Sequence, residues 1–195
     1  EATIESIAKH GMSGTTMTSV TGFAGLSIGI VNFHFTNKET LFEETLRYLA
    51  YEHRDQWRRS VRNAELAPTA KLLAVVDALF HPRICSRKKL AVWFGFYGEA
   101  ATRASYRRIM SEIDDERWNI SQQLIAEIIE NGGYVGLSAR DIADTLEGLY
   151  DGFWLNILLY PDEFSRAHAM ARIRDYLATT LPEHFDRPAP RACKD

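Results

Sequence analysis

An all-α fold in two parts is predicted: an N-terminal three-helix helix-turn-helix domain, then a larger helical-bundle domain. Three observations predict it. No stretch of the 195 residues alternates apolar and polar side chains for long enough to make a strand. Gly and Pro punctuate segments of helical periodicity at roughly 1–10, 17–24, 28–34, 38–63, 68–81, 87–102, 104–131, 139–159 and 163–180. The two shortest, 17–24 and 28–34, flank a Gly-Leu-Ser turn and lead into an aromatic run and Asn-Lys-Glu. In that layout one helix braces the backbone of DNA and the next enters the major groove.

The first segment is already under way at Glu1, which predicts a first helix cut short. Thr16 stands where an N-cap belongs, its hydroxyl able to accept from first-turn amides of a helix starting at Met17. Met17, Val20 and Ala24 make one inward apolar stripe, and Gly25 ends the helix because it tolerates positive φ. Ser27 caps the next helix, Ile28–His34. There Ile30, Val31 and Phe35 are predicted to anchor the helix, with Ile28, Gly29, Asn32 and Phe33 on the other face.

The predicted DNA contacts are Thr16, Thr18, Ser27, Ile28, Gly29, Asn32, Phe33, His34 and Lys38. Gly29 permits close approach, and the Asn32 amide matches adenine N6/N7 or a phosphate. Thr16, Thr18 and Lys38 suit phosphate oxygens. Each also has a purely structural reading, as a cap or a solvated charge.

Segment 38–63 is the predicted link between a domain at 1–46 and one at 47–182. Breaks at Ala67-Pro68, His81-Pro82 and Tyr160-Pro161 fall where Pro starts or ends a helix, and Asn131-Gly132-Gly133 closes the longest one. With Pro182, Pro188 and Pro190 around it, 183–195 is predicted to be a flexible tail.

LAVWFGFYGEAA (90–101) is apolar on all sides, which predicts burial all round. Trp93, Phe96, Tyr97 and Glu99 on it, with Trp118, Tyr150 and Trp154 elsewhere, are the candidate ligand contacts. An aromatic wall beside an acid holds quaternary ammonium ions by cation–π attraction; the same residues also suit plain core or a generic apolar pocket. LEGLYDGFWLNILL (146–159) is similarly apolar, with Asp151 and Asn156 inside it. Helices 139–159 and 163–180 are the predicted homodimer interface, two from each subunit, with Arg166, Arg172 and Arg174 at its rim.

The pattern G-x-x-x-T-T at Gly11–Thr16, a short helix, then G-L-S-x-G-x-V-x-F-H-F-x-x-K-E-x-L through Leu41 resembles the DNA-binding module of the TetR family. The resemblance implies a small domain on an operator half-site and a larger one that dimerises and holds an inducer. That family often has Lys or Thr at the position of Ile28 and an aromatic at that of Asn32, so the base-reading contacts here differ. Regulators of this kind often carry Arg and Lys in an N-terminal arm. The order and lengths of the helical segments match as well, so the resemblance spans nearly the whole chain. KKLAVWFGFYGEA, Tyr106-Arg107 and LEGLYDGFWLNILL with the following Phe-Ser-Arg-Ala are similar to the regulatory domain of betaine-pathway (BetI-type) repressors. The family resemblance implies repression of a palindromic double-stranded DNA operator, released by a small-molecule inducer. The narrower one implies a subfamily and fixes no inducer, while the aromatic content suits a choline-like one.

Composition narrows the field further. A net charge of −3, 25% charged and 46% apolar residues are ordinary for a globular protein, and no apolar run is long enough to span a membrane. A cytoplasmic protein is expected, without signal peptide or membrane partner. Within 1–47, Lys9, Lys38 and Arg47 face Glu1, Glu5, Glu39, Glu43 and Glu44, a sum of −2 that is a weak electrostatic footprint for DNA. That keeps open an all-helical ligand-binding protein or adaptor without DNA binding. His10, His34, His53, His81, His168 and His184 are dispersed, with no metal-binding pair, Gly-rich phosphate loop or nucleophile elbow, so no enzyme, metal or cofactor is expected. Cys85 and Cys193 form no CxxC pair; Cys85 among Arg83, Arg87, Lys88 and Lys89 is either a reactive thiol or a small loop residue.

Overall fold

Helix follows helix in the computed structural model, which describes residues 1–63 and 65–186. The elements are α1 (Ala2–Gly14), α2 (Met17–Ala24), α3 (Ile28–His34), α4 (Lys38–Val61), α5 (Pro68–Leu79), α6 (Arg87–Ala100), α7 (Ala104–Gly132), α8 (Ala139–Leu159) and α9 (Arg166–Thr180). Among the described residues no strand occurs.

Local chemistry sets most of the boundaries. Thr16 accepts from Ser19 N while Ser19 Oγ accepts from Thr16 N, a reciprocal box that starts α2. Gly25 ends it at φ 64°, a left-handed conformation that favours glycine. Asn37 Oδ1 accepts from Thr40 N at 2.9 Å and opens α4. Ser165 accepts from His168 N, which delays α9 to Arg166 rather than the predicted 163. The first helix runs beyond the predicted 10 because it continues past a kink at Gly11, φ 72°.

The chain divides into two compact units. The first comprises Glu1–Asp55 and Pro82–Glu116; the second comprises Gln56–His81 and the chain from Arg117 onward. Thus α6 and the first part of α7 group with the N-terminal helices. In the first unit α1 packs on both α2 and α6. Gly95 allows the approach of α1 to α6, since a Cβ there would lie 3.0 Å from Met12 Cγ. Leu46 and Phe96 are wholly buried in this unit, each contributing roughly 1.5–3 kcal/mol relative to exposure. A hydroxyl network crosses the α1–α2 junction: Ser6 Oγ donates to Thr15 Oγ1 at 3.3 Å and lies 2.7 Å from Ser19 Oγ, and Thr15 Oγ1 donates to Gly11 O.

In the second unit α9 packs against α5 and α8. Arg174 on α9 donates to Asp77 on α5 at 2.7 Å, and Trp154 Nε1 on α8 donates to Leu79 O. Arg117 on α7 grips Glu147 on α8 through both carboxylate oxygens.

Two sequence expectations are corrected here. α6 is not buried all round: Leu90, Val92, Trp93 and Phe96 are buried, while Gly98 is exposed and Phe94, Tyr97 and Glu99 are half-buried. α8 is buried on one side and has an outward face where Gly148, Asp151, Gly152, Leu155 and Leu159 are exposed. In both helices neighbours cover only one side. Residues 183–186 are anchored rather than loose: Glu183 N donates to Tyr134 Oη at 2.9 Å, His184 Nδ1 lies 3.1 Å from the same oxygen, and Phe185 is buried. The remainder of the predicted tail, 187–195, lies outside the described residues.

Candidate nucleic-acid interface and effector residues

The turn between α2 and α3 is held by Leu26 N donating to Thr21 O at 3.2 Å, and α3 is capped by Ser27. Val31 is the one buried residue of α3, so it defines the inward direction. At 100° per residue Gly29 and Phe33 then stand on the outward crest, flanked by Asn32 and Ile28 on one side and by Ile30 and His34 on the other. Phe33 is 85% exposed and meets the His34 ring edge-on. Ile30 is 46% exposed, which overturns its predicted role as an anchor; a seven-residue helix buries one narrow stripe, and Val31 occupies it.

Thr16, Thr18, Ser27, Ile28, Gly29, Asn32, Phe33 and His34 are all exposed. Lys38 behaves differently. It is half-buried, its Nζ donates to Met12 O at 3.0 Å, and it sits 5.0 Å from the centroid of the Phe42 ring. Lys38 thus ties the start of α4 to the end of α1, a contact between residues far apart in the chain that local sequence gives no sign of.

The seven candidate effector residues divide between the units. In the first, Trp93 lies edge-on to His53 and 6.1 Å from Tyr97, while Phe96 is enclosed by Phe42 and Tyr106 and is core. Glu99 accepts from Arg103 Nε at 3.0 Å, and Arg103 reaches Glu39 at 2.8 Å. A guanidinium therefore already matches the Glu99 charge. Burial, followed by the neighbouring acids, pushes the Tyr106 phenol above its ordinary range despite Arg103.

In the second unit, Trp118 Nε1 donates to Asp144 at 2.6 Å, with the Arg140 guanidinium over its ring. Tyr150 is buried edge-on to Phe80, and burial, then Glu147, pushes its phenol upward. Among the described residues its hydroxyl has no hydrogen-bond partner; nor do Ser121 Oγ and Trp57 Nε1, which are buried in the same unit. Local sequence missed Trp57 and Ser121. Trp57 was legible as the end of the α4 stripe Leu46, Leu49, His53, Trp57, whereas Ser121 gained meaning only once its helix had neighbours.

Tyr150→Phe separates a structural role from a binding one. Deleting an unpartnered buried hydroxyl should leave stability at pH 7 unchanged or raise it by up to about 1 kcal/mol. Because the folded phenol titrates above 10, the neutral form contributes stability below that value which is lost as pH rises through the folded pKa. The variant should lack this alkaline component in melts taken as a function of pH, and a loss of effector response with intact stability would mark Tyr150 as a contact.

A capped helix, a glycine turn and a second helix with its polar and apolar crest turned outward, all on a helical scaffold, define a DNA-binding transcriptional regulator. Residues 1–45 match the family model described as bacterial regulatory proteins of the TetR family, and residues 68–182 match the C-terminal domain of BetI-type transcriptional repressors. The chain belongs to the TetR family, in the group with the BetI-type C-terminal domain. It is 33% identical to the HTH-type transcriptional regulator BetI of Burkholderia thailandensis, covering 98% of this chain and 92% of that protein. The corresponding regulator of Paraburkholderia phymatum is 31% identical over 94% of this chain and 91% of its own. The fold is shared with a transcriptional regulator of Pseudomonas aeruginosa (TM-score 0.80, 22% identity, 93% of this chain and 87% of that one). It is shared also with a regulator of Saccharomonospora viridis solved in complex with choline (TM-score 0.81, 18% identity, 92% and 95%). No described helix is long and apolar enough to cross a membrane.

Proposed function

We propose that this regulator is a homodimeric repressor that holds a palindromic operator and leaves it when a small organic cation of the choline type binds. The observation that carries the DNA half is the exposed crest of α3, where Asn32 flanks Gly29 and Phe33 with no folding contact to occupy it. Two such helices, about 34–36 Å apart, fit successive major grooves. The outward face of α8, with Leu155 39% and Leu159 54% exposed beside Gly148 and Gly152, supports pairing through α8 and α9.

For the effector, the support is chemical. Within the second unit, Tyr150 and Trp154 are aromatic groups that suit a cation, and the Tyr150, Ser121 and Trp57 polar atoms, without hydrogen-bond partners among the described residues, suit a ligand hydroxyl. The choline found in the Saccharomonospora viridis regulator points to the same class. An effector acts by binding better when the two DNA-binding domains are out of register, so operator affinity falls by the differential binding energy.

Selection of a random duplex library, followed by titration of the enriched duplex, tests both halves. Two chains per palindrome, and release by millimolar choline but not by glycine, is the expected result. A single chain per site rejects the dimer, and indifference to choline rejects the cation. The all-helical binding protein without DNA function would enrich no sequence at all.

A further inference from the structure

The recognition helix has an unusual surface for a protein that must bind a polyanion. α3, IGIVNFH, carries no Lys, Arg, Asp or Glu. Its exposed apolar groups are Ile28 at 44%, Ile30 at 46% and Phe33 at 85%, and His34 adds one exposed imidazole at the end of the helix. Asn32 is the only side-chain amide on it. Gly29, between Ile28 and Phe33 on the crest, has nothing but its cap Ser27 within 4 Å of a built Cβ, so the helix axis can come close to the base edges.

The basic residues nearby are occupied within the fold. Lys9 lies 5.7 Å over Phe23, Lys38 donates to Met12 O, and Arg47 pairs with Glu44 at 3.6 Å. Those are all the Lys and Arg side chains of residues 1–47; His10 and His34 are the other basic groups there. Within these residues, phosphate contacts, the sequence-independent part of DNA affinity, fall to few Lys and Arg side chains. Base discrimination by α3 is shared between the polar Asn32 and His34 and the exposed apolar side chains, and the one apolar group any base pair presents in the major groove is the C5-methyl of thymine.

We propose that this protein reads its operator through thymine methyl groups. Ile28 and Phe33 pack on the C5-methyls of two thymines in each half-site, and Asn32 hydrogen-bonds an adjacent adenine edge. The inference rests on α3 being the groove helix. It adds which chemical feature of the DNA that helix selects.

Deoxyuridine tests it, because replacing a thymine removes only the methyl and keeps the base pair. From the duplex enriched by library selection, each half-site thymine is replaced in turn and affinity is measured with the full chain. At two thymines per half-site affinity should fall about fourfold, the worth of one buried methyl. Phe33→Ala, at an 85% exposed position where folding is little affected, should abolish the uridine effect at one of the two and leave the other. Asn32→Ala should keep both effects. Uridine tolerated at every thymine, or an enriched half-site with no thymine in its core, overturns the inference while leaving DNA binding intact. Absence of any enriched sequence from folded protein removes the groove helix itself, and the inference with it.

Discussion

Arg117→Ala should lower the stability of the folded chain by about 3 kcal/mol, the low end of what removing one partner of a buried ion pair costs. The Arg117 side chain is 7% exposed and that of Glu147 23%, so alanine strands a largely enclosed carboxylate that two guanidinium nitrogens now satisfy. The partial exposure of Glu147 keeps the loss from the upper end. Tm should drop by roughly 6–12 °C for a chain of this size, read by calorimetry at pH 7. The double change R117M with E147L should recover most of it, because hydrophobic replacement of a buried pair is often neutral. If the single variant melts within about 1 °C of wild type, the pair does not brace α7 to α8. Tyr150 and Ser121 lie one turn from this pair on the same two helices, so effector response should also weaken in the single variant and return in the double.

Asn32→Ala should weaken operator binding about tenfold and relax preference at a single base pair, the loss of one side-chain amide to an adenine edge. Asn32 is exposed and bonded to nothing in the fold, so the melting curve should not move. Lys38→Met provides the contrast. If its ammonium neutralises a phosphate, binding weakens on every sequence and the salt slope falls by about one. If its role is the hydrogen bond to Met12 O, the slope is unchanged and stability falls, by about 1–2 kcal/mol for a charge-assisted bond that is half-buried. A slope unchanged with stability also unchanged assigns Lys38 neither role.

The helix order, the caps and the turn were legible because they depend on near neighbours. Thr16 and Ser27 bond amides three residues on, and Gly25 answers a backbone angle, so each acts within one helical turn. The crest of α3 was also mostly legible, since 3.6-residue periodicity places Gly29 and Phe33 opposite Val31. The family resemblance rests on the same local pattern.

Residue order alone therefore specified an all-helical chain with a helix-turn-helix whose second helix spans residues 28–34. Whatever depends on residues far apart was settled by the packing of the folded chain. Packing buried Val31 and left Ile30 in water, because one narrow face of a short helix met the core. It bound Lys38 to Met12, 26 residues away, and joined Arg103 to Glu39 across 64. It left the Tyr150, Ser121 and Trp57 polar groups buried without hydrogen-bond partners among the described residues, which no local spacing announces. Charge pairing and burial are properties of what packs against a residue, and periodicity specifies the direction of a side chain but not its neighbour.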